Sequence, residues 1–338
     1  MGVIASAPGK LVITGEYAVL EGAPALVLAI DREAHVTLEE AADHACEITA
    51  PGLGIHAARG QLDATGRMVW PGLDAPAVRP LALVSAVLET LASERPLRSF
   101  HARLDTRAFY ASADGRAKLG LGSSAALTVA LASAVSALDQ RGAPAIALLI
   151  AAHRRAQDGR GSGLDIAASL IGGLLVYRLH DGQPQVTPAT WPTGLAWCCV
   201  WSGKSASTRA YLDKLAAWRV GAPARYATLM RDLGACATAA AVADNAATLI
   251  EAVAAYALAL DRLGSASGLD IISTEHRRLG VLAARCGATY KTCGAGGGDV
   301  GIALASDPDR LQAFRQAATK AGFNLLDLQP SVAGVHVH

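Results

Sequence analysis

"KLGLGSSAALTVAL", Lys118 to Leu131, joins a half too rich in Gly and Ser to hold a helix to a half made almost wholly of helix formers. Gly120, Gly122 and the two serines can bring backbone N–H groups close to a ligand with little interference from Cβ atoms. The helix predicted from Ala125 to about Leu138 begins with unpaired N–H groups and the positive end of its dipole. Such a junction is a ready anion site, most often for phosphate. The plainer reading of the same residues is an N-cap, with Ser123 or Ser124 closing the first turn of a buried helix.

Two nucleotide signatures fail here. "GLGSSA" fits G-x-G-x-x-G/A, but a dinucleotide fold needs a strand directly before it and a second strand ending in an acid about 20 residues on. Asp139 has roughly that offset, yet it ends a helical run. A P-loop needs Gly-Lys-Ser/Thr after the glycines, and none follows.

Outward from this stretch the chain mixes strands and helices. "GVIASAP" predicts a short first strand running into a Pro-Gly turn, and "LVITGEYAVL" and "PALVLAI" predict strands joined by a tight connection. "HVTLEE", "HACEITA" and "RSFHARLDT" read as further strands, and "PLALVSAVLETLAS" as a helix over 80–93. "APAIALLIAAHRRAQ" predicts another helix, and "GRGSGLDIAASLIGGLLVYRL" runs loop, helix, glycines, strand. "HDGQPQVTPATWPTG", His180 to Gly194, is rich in Pro, Gly and polar residues and marks a candidate boundary. Beyond it come a strand in "LAWCCVWSG", Ala-rich helices over about 211–263 and 269–286, then strand, helix and strand to the end. The order is α+β, in two domains expected at 1–188 and 189–338.

Composition narrows the function. A chain of 338 residues favours two packed domains over one core. The formal net charge of +1 gives no global field for nucleic acid or anionic lipid. The six cysteines form no C-x-x-C pair, which argues against zinc and for reduced thiols in a cytoplasmic protein. "MGVIAS" matches the myristoylation pattern, but the same residues read as the first strand. We expect no secretory signal and no apolar run long and uninterrupted enough to cross a membrane. The protein is expected to be a monomer or homodimer.

Two more stretches bear on the glycine loop. "SAPGKLVITGEY", Ser6 to Tyr17, puts Lys10 beside Pro-Gly at the head of a buried strand. "KTCGAGGGDVGIAL", Lys291 to Leu304, is a second glycine cluster between a helix and a strand. One such element is ordinarily a turn. Three, spread from start to end, resemble the three motifs of the GHMP kinase superfamily. The resemblance implies a two-domain GHMP kinase fold: an N-terminal domain like the second domain of ribosomal protein S5, and a ferredoxin-like C-terminal domain, with ATP and substrate between them. It implies that Lys118, Gly120, Leu121, Gly122, Ser123, Ser124 and Ala125 wrap the ATP phosphates. Ser124 would help hold Mg²⁺, with Ser123 the second choice. Lys10 and Asp165 become the catalytic pair, although an Asp at the head of a helix is ordinarily just a favourable first-turn acid.

"AHRRAQDGRGSGLDIAASLIGG", Ala152 to Gly173, and "WSGKSAST", Trp201 to Thr208, are similar to phosphomevalonate kinases. Mevalonate kinases place a Glu where this chain has Arg154. The resemblance therefore implies transfer from ATP to phosphomevalonate, with mevalonate or another small alcohol as the alternative acceptor and a catalytically silent ligand sensor as the alternative of another class. The substrate residues it implies are Tyr17, Arg154, Ser162, Gly163, Lys204, Ser205, Ser207, Thr208, Gly296 and Gly297. Arg and Lys beside hydroxyls suit an acceptor that already carries phosphate. A solvated helix face is the plainer reading of Arg154 and Arg155.

Overall fold

The computed structural model describes residues 2–42, 45–111 and 117–338. One sheet has the order His336–Val337, Gly2–Thr14, Ala25–Glu40, Phe100–Asp105, Cys46–Ala50, Ile55–Leu62, Met68–Val69. Leu174–His180 pairs with the start of Ala25–Glu40 and carries Gln183–Ala189 outside it. Pairing is antiparallel except between Cys46–Ala50 and Phe100–Asp105. The second sheet, Thr289–Thr292, Val300–Ala305, Ala196–Trp201 and Asn324–Leu326 in that order, is antiparallel throughout.

Helix Ser123–Leu138 explains why the first sheet holds together. It is buried at nearly every position from Ala125 on, so it has no solvent face. Its many alanines let it lie close on strands Gly2–Thr14 and Ala25–Glu40, while Leu127, Val129, Leu131 and Val135 fill the core. Each such Leu or Val contributes about 1.5–3 kcal/mol relative to exposure. Leu131→Ala would leave a cavity costing about 2–5 kcal/mol.

Several expectations change. Pro8-Gly9 is not a turn: the strand runs unbroken from Gly2 to Thr14, with a register shift between Pro8 and Gly9. Gly9 serves close approach, since a Cβ there would lie 2.6 Å from both Leu121 O and Phe109 Cε1. "EYAVLE" is not strand either, but turns through a 3₁₀ helix at Ala18–Glu21. The first part of the boundary segment is a strand, Gln183–Ala189, hairpinned onto Leu174–His180 through Asp181 and Gly182, both left-handed. Its prolines hid it; Pro184 and Pro188 are tolerated because it is an edge strand. The helical run after 211 breaks into Thr208–Gly221, Pro223–Ala241 and Ala246–Ser267, the second opened by Pro223 and the third capped by Asn245.

The stretch Ala75–Ala92 is long and apolar enough, by composition, to cross a membrane. It is interrupted by a 3₁₀ turn at Arg79–Leu81, and Val84, Val87, Leu88 and Leu91 sit in the core. "HACEITA" forms its strand from Cys46, and His44 lies outside the described residues. All six cysteines are free thiols. The chain changes sheets between Ala189 and Ala196, and its last segment returns to the first sheet, where Val337 pairs with Ala5.

Candidate active site

Lys10 stands in the middle of the first strand with its side chain almost wholly buried. Its backbone N–H donates to Leu121 O at 2.9 Å, which ties the strand to the glycine loop. Its ammonium reaches Gly120 O at 3.3 Å and lies 3.8 Å from Asp165 Oδ2. Gly122 packs on the aliphatic stem of Lys10; a Cβ there would be 3.0 Å from Lys10 Cγ.

Gly120 and Gly122 both take left-handed backbone, at φ 77° and 86°. Gly122 is itself the N-cap of helix Ser123–Leu138, and no side chain caps that turn. The plainer reading of Ser123 or Ser124 as the capping residue therefore does not hold. The first-turn amides stay available at the positive end of the helix, beside a cavity of about 460 Å³. Ser124 Oγ lies 3.1 Å from His153 Nε2, which Gln157 Nε2 also approaches at 3.0 Å. Burial pushes the His153 pKa down, so the ring is a neutral partner for the hydroxyl.

Asp165 projects from the first turn of helix Leu164–Ile171. Gly163, the N-cap at φ 91°, is forced by packing, since a Cβ would lie 2.6 Å from Ile150 Cδ1. The loop before it is braced from behind: Arg154 donates to Gly161 O at 2.9 Å and Ser162 O at 3.3 Å, and Tyr177 OH donates to Ser162 O at 2.6 Å.

The opposite wall comes from the segment before helix Thr208–Gly221 and from the second glycine cluster. Ser205 Oγ donates to Lys118 O at 2.8 Å. Asp299, left-handed at φ 57°, knits the wall together. Its amide donates to Lys204 O at 2.7 Å, its carbonyl accepts from Ser202 N at 2.9 Å, and its Oδ1 accepts from Ala206 N at 3.0 Å. Its carboxyl presses on Gly120, where a Cβ would lie 2.4 Å away. Burial raises the Asp299 pKa. Below it, Glu16 and Lys291 form a fully buried ion pair that also receives Gly294 N–H. Tyr17 donates its phenol to Ala295 O, and burial raises its pKa well above the ordinary value, so it stays protonated.

The cavity gathers Lys10, Tyr17, Lys118, Gly120, Gly122, Ser123, Ser124, Ser162, Gly163, Asp165 and Thr208 from the expected set. The other expected residues support it without lining it. Leu121 and Ala125 are buried, the first holding Lys10 through its carbonyl. Arg154 does not line the cavity and gives its Nε and Nη2 to loop carbonyls. Lys204 pairs with Glu275 at 2.6 Å, and Ser207 caps its helix by accepting from Ala210 N. Gly296 and Gly297 serve packing against Ile271 and Tyr211.

Residues the sequence reading left out also line the cavity, notably Glu16, Asp299, Arg160 and Arg209. Arg160 pairs with Asp213, and Arg209 with Asp158 at 2.5 Å. Arg160 sits between two glycines and Arg209 beside a helix cap, the local signals that could have found them. Among the described residues no group of three His, Cys, Asp or Glu forms a metal cage. The donors present, a hydroxyl at Ser124 and a carboxylate at Asp165, fit a magnesium ion that is held mainly by nucleotide phosphates.

Residues 82–173 match the GHMP kinases N terminal domain family. Along its whole length the chain is similar to a phosphomevalonate kinase of Streptomyces sp. (strain CL190), at 32% identity over 98% of this chain and 98% of that one. Its fold is similar to a Listeria innocua protein, Lin0012, with TM-score 0.86 at 22% identity, covering 100% and 99% of the two chains. It is also similar to Streptococcus pneumoniae phosphomevalonate kinase solved with phosphomevalonate and AMPPNP, with TM-score 0.77 at 19% identity, covering 97% and 99%. With a full-length relative at this identity and an open helix start facing Lys10 and Asp165, the chain belongs to the GHMP kinases, a family of phosphotransferases.

Proposed function

We propose that the protein transfers the γ-phosphoryl group of ATP to phosphomevalonate, giving diphosphomevalonate and ADP. The observation that carries this reading is one cavity lined by an uncapped helix start, Lys10 and two arginines, Arg160 and Arg209, alongside full-length similarity to a phosphomevalonate kinase. An acceptor phosphate oxygen attacks the γ-phosphorus, and the bond to the β,γ-bridging oxygen breaks. Little covalent work falls to the protein; positioning and charge stabilisation carry the rate.

The amides of Ser123 and Ser124, with Gly120 and Gly122, cradle the nucleotide phosphates. Lys10 neutralises charge that builds on the transferring group, and Asp165 holds the Lys10 ammonium in place. An acceptor phosphomonoester has its second pKa near 6 and is already ionised at neutral pH, so Asp165 acts as a positioner rather than a base. A magnesium ion would supply charge neutralisation to the phosphates, and Ser124 Oγ, with Asp165 nearby in the cavity, would help hold it.

We assign the two sheets to two domains that divide near 188/189, with residues 329–338 rejoining the first. Free, largely buried thiols suit a reducing cytoplasm. The test is ADP release with ATP and Mg²⁺ across phosphomevalonate, mevalonate, and sugar or amino-acid alcohols. Phosphomevalonate should exceed mevalonate by roughly a hundredfold or more in kcat/KM. A preference for mevalonate rejects the assignment and makes Asp165 the general base. ATP binding without turnover of any acceptor supports a sensor instead.

A further inference from the structure

Four cationic side chains line the cavity among the described residues: Lys10, Lys118, Arg160 and Arg209. The two lysines belong to the nucleotide loop, Lys10 through its bond to Gly120 O and Lys118 as the residue that opens it. The arginines belong to neither end of that loop and enter the cavity from two other elements. Arg160 lies in the 156–163 loop, and Arg209 in the first turn of helix Thr208–Gly221.

Each arginine pairs with a carboxylate on the other element. Arg160 reaches Asp213 of the helix, and Arg209 reaches Asp158 of the loop. The two pairs are therefore reciprocal, each joining the loop to the helix. Their side chains are 44–65% exposed. They differ in kind from Arg154, whose guanidinium is committed to backbone carbonyls. Exposed ion pairs contribute little to stability, so an incoming anion can displace the carboxylates at small cost. A phosphate dianion offers the guanidinium the same two-pronged geometry as a carboxylate, with more charge.

We propose that Arg160 and Arg209 form the subsite for a phosphate carried by the acceptor, and that Asp158 and Asp213 occupy them until that phosphate takes their place. This rests on reading the cavity as a kinase site for a phosphorylated acceptor, and it adds the residues that select for the phosphate. The aspartates are competitors of the ligand. Removing them strengthens anion binding, whereas removing a merely structural ion pair would leave it unchanged or weaken it.

The probe is inorganic phosphate, titrated calorimetrically into the full chain preloaded with AMPPNP and Mg²⁺ at fixed ionic strength. Arg160→Met with Arg209→Met should weaken phosphate binding by roughly tenfold or more, and the Arg→Lys pair by less, because Lys keeps the charge and loses only the fork. Asp158→Asn with Asp213→Asn should tighten it by roughly threefold, with AMPPNP affinity within about that factor throughout. KM for phosphomevalonate should move in the same directions. All four side chains are substantially exposed, so the variants keep their fold, checked by thermal melting. The proposal is overturned if the wild type binds no phosphate beside AMPPNP, if the methionine variant binds it equally well, or if the asparagine variant binds it more weakly. If phosphate behaves as expected while phosphomevalonate is not phosphorylated, the subsite stands and the choice of acceptor falls.

Discussion

The two walls of the cavity are built in different ways. The nucleotide wall is backbone: left-handed glycines, an uncapped helix start, and a strand whose amide bonds the loop carbonyl. The opposite wall is side chain: Ser205 on Lys118 O, Asp299 on Ala206 N, and two reciprocal ion pairs open to solvent. Backbone geometry tolerates few sequences, because a Cβ at Gly120 or Gly9 has nowhere to go. Side-chain geometry tolerates many. On the proposed reading, the first wall would fix a phosphate donor and the second could be retuned for an acceptor.

The largest expected effect falls on the first wall. Lys10→Met should cut kcat by about a thousandfold or more, since its charge acts mainly in the transition state. A folded variant with near-normal kcat would remove Lys10 from the chemistry. Next comes Gly120→Ala. It strains a left-handed residue and drives a methyl into the Asp299 carboxyl, so the KM for ATP should rise by roughly thirtyfold, with a smaller change for the acceptor. Equal changes in both would show that the walls are not separable.

Arg154→Met tests the support behind the loop. Losing charge-assisted bonds to Gly161 and Ser162 carbonyls should cost about 1–3 kcal/mol in chemical denaturation. Acceptor KM should change by less than about tenfold. A large rise in KM with unchanged stability would return Arg154 to the substrate.

The smallest effect is electrostatic. Lys204 holds the Glu275 carboxyl down at about 2, against an ordinary 4.5. A carboxylate with a depressed folded pKa stabilises above its unfolded value and loses that contribution as pH falls from about 4.5 toward 2. Because Lys204 is largely exposed, Glu275→Gln should cost less than about 1 kcal/mol at neutral pH and flatten the acid limb of stability. An unchanged acid limb would show that the pair contributes nothing.

The same contrast explains what could be read without coordinates. The glycine loop, Lys10 and Asp165 were legible because steric demands at turns and helix starts leave marks in short stretches. Helix Ser123–Leu138 was legible from its apolar run. Arg160–Asp213 and Arg209–Asp158 were not, since a pairing between distant segments leaves no local pattern. Arg154 shows the limit of a local reading: its sequence position suits an anion site, and only the folded loop shows that its guanidinium bonds nearby carbonyls. Pro184 and Pro188 hid a strand whose edge position only the tertiary pairing reveals.

Ile4 N–H donates to His338 O at 3.0 Å, and His338 N–H returns the bond to Ile4 O at 2.8 Å. The strand that carries Lys10 is made long before residues 335–338, and part of its outer edge has no partner until they are in place. Until then that edge presents unpaired amides and carbonyls, a template for the wrong neighbour. During synthesis the Lys10 strand is therefore the one left open to chaperones and misassociation across more than 320 residues of intervening chain, and pairing with residues 336–337 closes it.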